Sequence, residues 1–187
     1  MTMQQLNRAL ESDRLYLRPL VSEDSDMYYP NMLNEEVRRL TGTQRVFSKQ
    51  MIDNYIEEIQ NETDRIHLLI VLKEEDRIIG EVALQDIDYV NRNSNIRIAL
   101  FNQADFSKGF GTEALKLLMN YGFGVLNLHR IELNVFSYNA RAIKAYEKLG
   151  FIQEGIQREV LFYNHEYHDS ITMSILENEF RKSEEIK

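Results

Sequence analysis

The sequence predicts an α/β (or α+β) fold in which helices pack on one mixed sheet, and three observations support this class. Three strand-like segments follow one another between residues 65 and 101. Amphipathic helical segments precede them, and strand-like and helical segments alternate after them. Consecutive strands combined with helical crossovers give a mixed sheet flanked by helices. No linker or repeat interrupts the 187 residues, so a single domain over residues 1–187 is expected.

The N-terminal third supplies one strand and three helices. Residues 14–20 alternate with the strand period and reach Pro19, which favours a strand end. Helices are predicted over residues 22–31, which begin with an acidic first turn, and over residues 35–41, which Gly42 ends. Ser48 is the predicted N-cap of a third helix with apolar residues at helical spacing.

Three strands are predicted next, over residues 65–73, 77–88 and 94–101. The first is almost continuously apolar, which is typical of a buried strand. Gly80 lies inside the second and indicates a bulge or a close approach of two backbones.

A glycine-rich turn opens the predicted helix over residues 112–126. Its glycines permit unusual φ angles, and the free N–H groups of a first helical turn attract anions. Spacing excludes both a P-loop and the dinucleotide fingerprint, which needs a third glycine. The turn therefore predicts either a phosphate site or a plain strand-to-helix connection. Its residues are Ser107, Lys108, Gly109, Phe110, Gly111 and Thr112.

The remaining chain predicts a strand at 130–136, a helix between Asn139 and Gly150, and a hairpin of strands at 151–161 and 167–176. Asn139 suits an N-cap and Gly150 a helix stop. Tyr146 lies on the apolar stripe of that helix, so periodicity alone indicates a core aromatic residue.

Composition excludes several classes of function. With no cysteine, the chain has no disulfide, no thiolate catalyst and no cysteine zinc site, and its four histidines lack zinc-site spacing, so no metal site is expected. A net charge of −8 argues against nonspecific binding to nucleic acid. No apolar run is long enough to span a membrane and no signal core is present, so a cytoplasmic location is expected.

The order of these segments resembles the GNAT superfamily of acetyl-CoA-dependent N-acetyltransferases. The family motif [QR]xxGx[GA] matches residues 106–111, with Phe106 in the first position. The segments DRLYLRPLVSED, LHRIELNVFSYNARAIKAYEKLGF and EGIQREVLFYNHEYHDSITMSIL resemble the branch that acetylates the N-termini of ribosomal proteins. This resemblance spans residues 13–176, the expected core. It implies about seven strands, mostly antiparallel, that splay between the fourth and fifth.

The resemblance also implies how acetyl-CoA binds. Backbone groups of Ala99, Leu100 and Phe101 pair with the pantetheine arm, and the amides of residues 107–112 hold the pyrophosphate. Asn139 bonds the arm or the acetyl end. Tyr146 protonates the departing thiolate.

The general base is less well defined. Many family members carry a glutamate where this chain has Asn95, and an amide is not a base. Glu81 is the candidate that we prefer, with Asp86 and Asp88 further along the same strand. A relayed water without a dedicated base is the alternative.

The predicted acceptor is the α-amine of a protein or peptide N-terminus. Polyamine-acetylating relatives carry a glutamate where this chain has Ala83 and another at Asn95, which lowers that alternative. Acetylation of another small amine stays open, as does a non-catalytic module that binds acetyl-CoA. The chain is expected to be a monomer or a homodimer.

Overall fold

The computed structural model describes residues 8–185 and contains one sheet of eight strands. In chain order the strands are β1 Leu10–Glu11, β2 Leu15–Pro19, β3 Ile66–Leu72, β4 Arg77–Asp88, β5 Asn93–Leu100, β6 Arg130–Phe136, β7 Ile152–Tyr163 and β8 Glu166–Leu176. Their order across the sheet is β1-β2-β3-β4-β5-β6-β8-β7. All neighbouring pairs are antiparallel except β5 and β6, which are parallel. The predicted fold class is therefore confirmed.

Six α-helices accompany the sheet in the described part of the chain. They are α1 Ser25–Leu33, α2 Glu35–Thr41, α3 Lys49–Ile59, α4 Phe110–Gly124, α5 Ala140–Lys148 and α6 Glu177–Glu185. The side chain of Ser48 caps α3 by accepting from Met51 N, and Gly42 ends α2 with a φ of 68°. Both assignments were predicted. None of the described helices is long and apolar enough to cross a membrane.

The sequence missed two elements, β1 and α6. The strand β1 has only two residues, too few for an alternating pattern to appear. The helix α6 is mostly polar and charged, and the sequence offered only its buried Phe180 as an anchor. The predicted helix over residues 22–31 is a 3-10 turn at Ser22–Asp24 followed by α1.

The two faces of the sheet carry separate apolar cores. One core includes Leu115, Leu118 and Met119 of α4, with Leu149 just after α5 and Phe180 of α6. The opposite core is smaller and includes Tyr28 of α1, Ile52 and Ile56 of α3, and Leu69 and Phe101 of the sheet. Because the sheet separates these cores, a ligand that enters between two strands reaches both sides.

Gly80 marks a β-bulge, as the sequence indicated. The pairing of β3 with β4 shifts register between Ile70 and Val71, so that Ile79 is the extra residue. A Cβ atom at Gly80 would collide with the backbone carbonyl oxygen of Ala99. Glycine therefore lets β4 approach β5 closely, which fixes the strand that borders the candidate site.

Candidate functional site

The strands β5 and β6 pair over only three residues and then separate. Their parallel register joins Asn93–Asn95 to Arg130–Glu132, and residues 96–100 have no strand partner on that side. The predicted splay between these strands is therefore present. A cleft of about 240 Å³ opens at this separation, between β5, the glycine turn, α5 and the end of α2.

The backbone of β5 offers hydrogen-bonding groups to the cleft at alternate residues. Phe101 N donates to Ile79 O at 2.9 Å, so its backbone faces β4. Because the facing direction alternates along an antiparallel strand, Ala99 also faces β4, while Ile98 and Leu100 face the gap. Of the three predicted residues, Leu100 therefore offers its backbone to the gap, whereas the backbone of Ala99 and the bonded N–H of Phe101 face β4.

The glycine turn forms the N-terminal end of α4. Ser107 and Gly109 both have left-handed φ angles, of 60° and 84°. The helix begins at Phe110, so the N–H groups of Phe110, Gly111 and Thr112 lack partners inside the helix. Every residue of the predicted turn lines the cleft except Lys108. This end of the helix is therefore a suitable anion site.

Two arginines hold the turn in place. Arg77 donates two hydrogen bonds, of 2.8 and 3.0 Å, to the buried carboxylate of Asp105. This bonding lowers the pKa of Asp105. On the other side, Arg14 donates to Lys108 O at 3.1 Å and to Glu113 Oε2 at 2.7 Å. Lys108 thus contributes its carbonyl to the scaffold.

Arg141 is a cation at the cleft that the sequence did not reveal. It lies on the first turn of α5 and lines the cleft, with its guanidinium carbon 3.8 Å from the centre of the Phe106 ring. A single arginine in an amphipathic helix is an ordinary surface residue by pattern. The fold places Arg141 opposite the glycine turn, which the sequence pattern does not indicate.

Asn139 and Tyr146 line the cleft from α5, and both were predicted. Asn139 Oδ1 accepts from Ala142 N at 3.2 Å, so the residue is an N-cap whose amide nitrogen stays available. Tyr146 is 9% exposed and packs near Phe151. Burial raises the pKa of Tyr146 to about 12, so its hydroxyl keeps its proton at neutral pH.

Glu81 lies on the opposite face of the sheet, outside the main cleft. Its Oε2 atom accepts from the Tyr28 hydroxyl at 2.5 Å and lies 2.9 Å from His67 Nε2. Burial by itself would raise the pKa of Glu81, but His67, Tyr28 and the charge of Arg97 outweigh it and lower that pKa. The carboxylate is therefore ionised at neutral pH.

A second, much smaller cavity adjoins Glu81. Its volume is about 10 Å³, close to the space that one water needs. Arg97, Ile98 and Ala99 line both this cavity and the main cleft, so the two spaces lie on either side of this stretch of β5. The alternative bases, Asp86 and Asp88, line neither, and Asp88 instead accepts bonds from its own turn at Val90 and Asn91.

Among residues 8–185, no cluster of three or more potential ligand side chains is arranged to hold a metal ion. The cleft therefore combines backbone donors, a helix N-terminus and a protonated tyrosine on one side of β5. On the other side it adjoins an ionised, buried carboxylate. These groups can hold a phosphate-bearing thioester, protonate a thiolate and accept a proton from an amine.

Comparison with known families matches residues 14–152 to the acetyltransferase (GNAT) domain. The match covers most of the chain, which therefore belongs to the GNAT acetyltransferases. The predicted enzyme class is confirmed, and acetyl-CoA is the cosubstrate of that class.

Particular relatives refine this assignment. Spermidine N(1)-acetyltransferase of Escherichia coli (strain K12) is 32% identical over 165 residues, which cover 88% of this chain and 87% of the relative. A crystal structure of spermidine N-acetyltransferase from Vibrio cholerae in complex with CoA and spermine superimposes with a TM-score of 0.85 at 25% identity. That superposition covers 91% of this chain and 99% of that one.

The ribosomal branch that the sequence favoured is less well supported. The putative ribosomal N-acetyltransferase YdaF of Bacillus subtilis (strain 168) is 30% identical over 103 residues, which cover 55% of this chain and 56% of that protein. Spermidine acetyltransferases match over most of both chains, whereas the ribosomal relative matches over little more than half.

The two roles of Asn139 can be separated by substitution. Asn139→Ser keeps a good N-cap, whereas Asn139→Ala removes it and should lower the free energy of unfolding by about 1 kcal/mol. If the amide nitrogen binds acetyl-CoA, both variants should raise the Kd for acetyl-CoA about fivefold or more. Urea unfolding and calorimetric titration measure the two effects. Wild-type affinity in Asn139→Ser would show that the residue is only a cap.

Proposed function

We propose that the protein transfers an acetyl group from acetyl-CoA to a primary amine of a polyamine or a similar small amine. The support from the comparisons is the spermidine acetyltransferases that match over most of this chain. The support from the geometry is that two cavities flank the same stretch of β5. One borders Tyr146 and the glycine turn, and the other borders Glu81.

Binding of acetyl-CoA follows from the cleft. The N–H groups at the start of α4 and the guanidinium of Arg141 would meet the phosphates. The backbone of Ile98 and Leu100 would pair with the amides of the pantetheine arm, as an added strand does. The thioester would then lie in the separation between β5 and β6, within reach of Tyr146.

The reaction needs a neutral amine, although an alkylamine is mostly protonated near pH 7. Glu81 would accept that proton through a water in the small cavity. The amine nitrogen then attacks the carbonyl carbon, and a C–N bond forms as the C=O electrons move to oxygen. Collapse of this intermediate breaks the C–S bond. Tyr146 gives its proton to the thiolate and regains one from the acylated nitrogen through solvent, so that an amide and a thiol result.

An acceptor screen tests this function. The protein is incubated with acetyl-CoA and one of spermidine, spermine, putrescine, butylamine or a ribosomal-protein N-terminal peptide. We expect acetylated polyamine by mass spectrometry and a higher kcat/KM for spermidine than for the peptide. Acetylation of the peptide with no acetylation of any polyamine would overturn the proposed acceptor and restore the ribosomal one.

Tyr146→Phe tests the proton donor. Removal of the hydroxyl should lower kcat about 100-fold, because general acid catalysis typically contributes that much or more, and should leave the KM for acetyl-CoA nearly unchanged. The control is Tyr167→Phe, which removes a hydroxyl from a residue that is 64% exposed. Equal turnover in wild type and Tyr146→Phe would remove the assigned role.

Glu81 makes a prediction about pH. Tyr28→Phe removes a donor from the ionised carboxylate, so the pKa of Glu81 rises, and the acid limb of kcat should move to higher pH. Glu81→Gln should remove that limb and lower kcat about tenfold or more.

The control for this pH profile is Tyr29→Phe, a change at the neighbouring residue of α1. It should leave the limb unchanged. Any limb that belongs to the amine itself is common to all four proteins. An identical profile for wild type and Tyr28→Phe, with full activity in Glu81→Gln, would exclude Glu81 as the base.

A further inference from the structure

Arg97 lies between the two cavities. It lies on β5 and is exposed, and among residues 8–185 it is the one charged residue that lines both the main cleft and the small cavity beside Glu81. Tyr146, the proposed proton donor, borders the main cleft, and Glu81, the proposed base, borders the small cavity. Any acceptor that reaches the thioester from the Glu81 side must therefore pass close to a guanidinium group.

The guanidinium of Arg97 is not directly paired within the described residues, although its charge acts on Glu81 from a diagonal position. Across residues 8–185 it forms neither a hydrogen bond nor an ion pair, whereas Arg14 and Arg77 are fully engaged. The two carboxylates that line the cavities are already occupied. Asp105 is held by Arg77, and Glu81 accepts from Tyr28 and contacts His67.

The sheet register explains why no carboxylate forms a direct ion pair with this charge. Ala83 of β4 lies directly opposite Arg97, in the position from which a carboxylate would pair with it across the strands. The side chain there is a buried methyl group. Glu81, opposite Ala99, is only a diagonal neighbour of Arg97.

The positive charge acts on both walls of the site. At Tyr146 burial raises the pKa, and Arg97 opposes that rise. Burial likewise raises the pKa of Tyr28 on the Glu81 side, and Arg97 opposes it there too. One side chain is thus electrostatically coupled to the proton donor and to the surroundings of the base.

We infer that Arg97 is a specificity-determining residue that disfavours acceptors with a second ammonium group close to the reacting amine. The inference rests on the proposed function and adds a rule about the acceptor. Among polyamines, those whose remaining charges lie far from the reacting nitrogen are favoured. Repulsion between like charges falls with their separation, so the penalty decreases as the spacing between nitrogens grows.

Diamines of increasing length test this rule. We compare kcat/KM for 1,3-diaminopropane and 1,8-diaminooctane, with propylamine and octylamine as monoamines of matched length. Arg97→Gln should raise kcat/KM about tenfold for the short diamine and less than threefold for the long one. It should change the values for the two monoamines by one common, smaller factor, because each brings only the charge of the reacting nitrogen. Each comparison is between variant and wild type with one amine, so the basicity of that amine cancels.

Three controls separate charge from structure. Arg97→Lys keeps the charge and should retain the wild-type selectivity. Arg158→Gln removes the same charge from an exposed position on β7 and should have no effect. Because exposed charges are screened, the advantage of Arg97→Gln with the short diamine should shrink as salt rises from about 0.05 M to 0.5 M.

The outcomes distinguish this inference from the function on which it rests. An equal change for diamines and monoamines, or no change, would overturn the role of Arg97, as would Gln-like behaviour of Arg97→Lys. A raised KM for acetyl-CoA with unchanged amine selectivity would assign Arg97 to the cosubstrate instead. If the wild type binds acetyl-CoA but acetylates none of the four amines nor spermidine, the proposed function and the inference both fail.

Discussion

The site depends on the early separation of β5 from β6. Two parallel strands that share only three paired residues leave the backbone groups of Ile98 and Leu100 facing a gap. Backbone groups removed from water need partners, so a ligand with amide groups of its own is the natural complement. The glycine at the β4 bulge allows β4 to pack closely against β5, the strand whose other edge is unpaired. In the proposed reaction, the same separation would admit the thioester from one face and the amine from the other.

In the proposed mechanism, the two faces of the sheet supply different groups. The α4 and α5 side holds the anion site and a tyrosine that stays protonated because it is buried. The α1 and α3 side holds Glu81, which stays ionised because hydrogen bonds and nearby positive charge outweigh its burial. An acid and a base of opposite protonation state thus coexist at one pH, each fixed by its surroundings. The strand between them carries Arg97, whose charge lowers the pKa values of both Tyr146 and Glu81 relative to burial alone.

Local pattern was enough for much of this architecture but not for the acceptor side. The caps at Ser48 and Asn139 and the glycine turn were readable because each depends on residues a few positions apart. The surroundings of Glu81 could not be predicted in this way, because its neighbours come from four separate elements. These neighbours are Tyr28, Tyr55, His67 and Arg97. The choice of acceptor branch relied on resembling segments and on Ala83 and Asn95, whereas spermidine acetyltransferases match over most of the chain. Arg97 looked like an ordinary polar residue on an alternating strand until the register placed Ala83 opposite it.

The hydrogen bonds from Arg14 and Arg77 to the glycine turn affect the free energy of binding acetyl-CoA. The turn that we propose as the phosphate site is held by hydrogen bonds at Asp105, Lys108 O and Glu113 without any ligand. The conformational entropy of ordering this loop is therefore lost during folding and not at the moment of binding. More of the contact energy then remains as affinity. A nucleotide-bearing cosubstrate can thus be retained by a short stretch of main chain, without a large set of charged side chains.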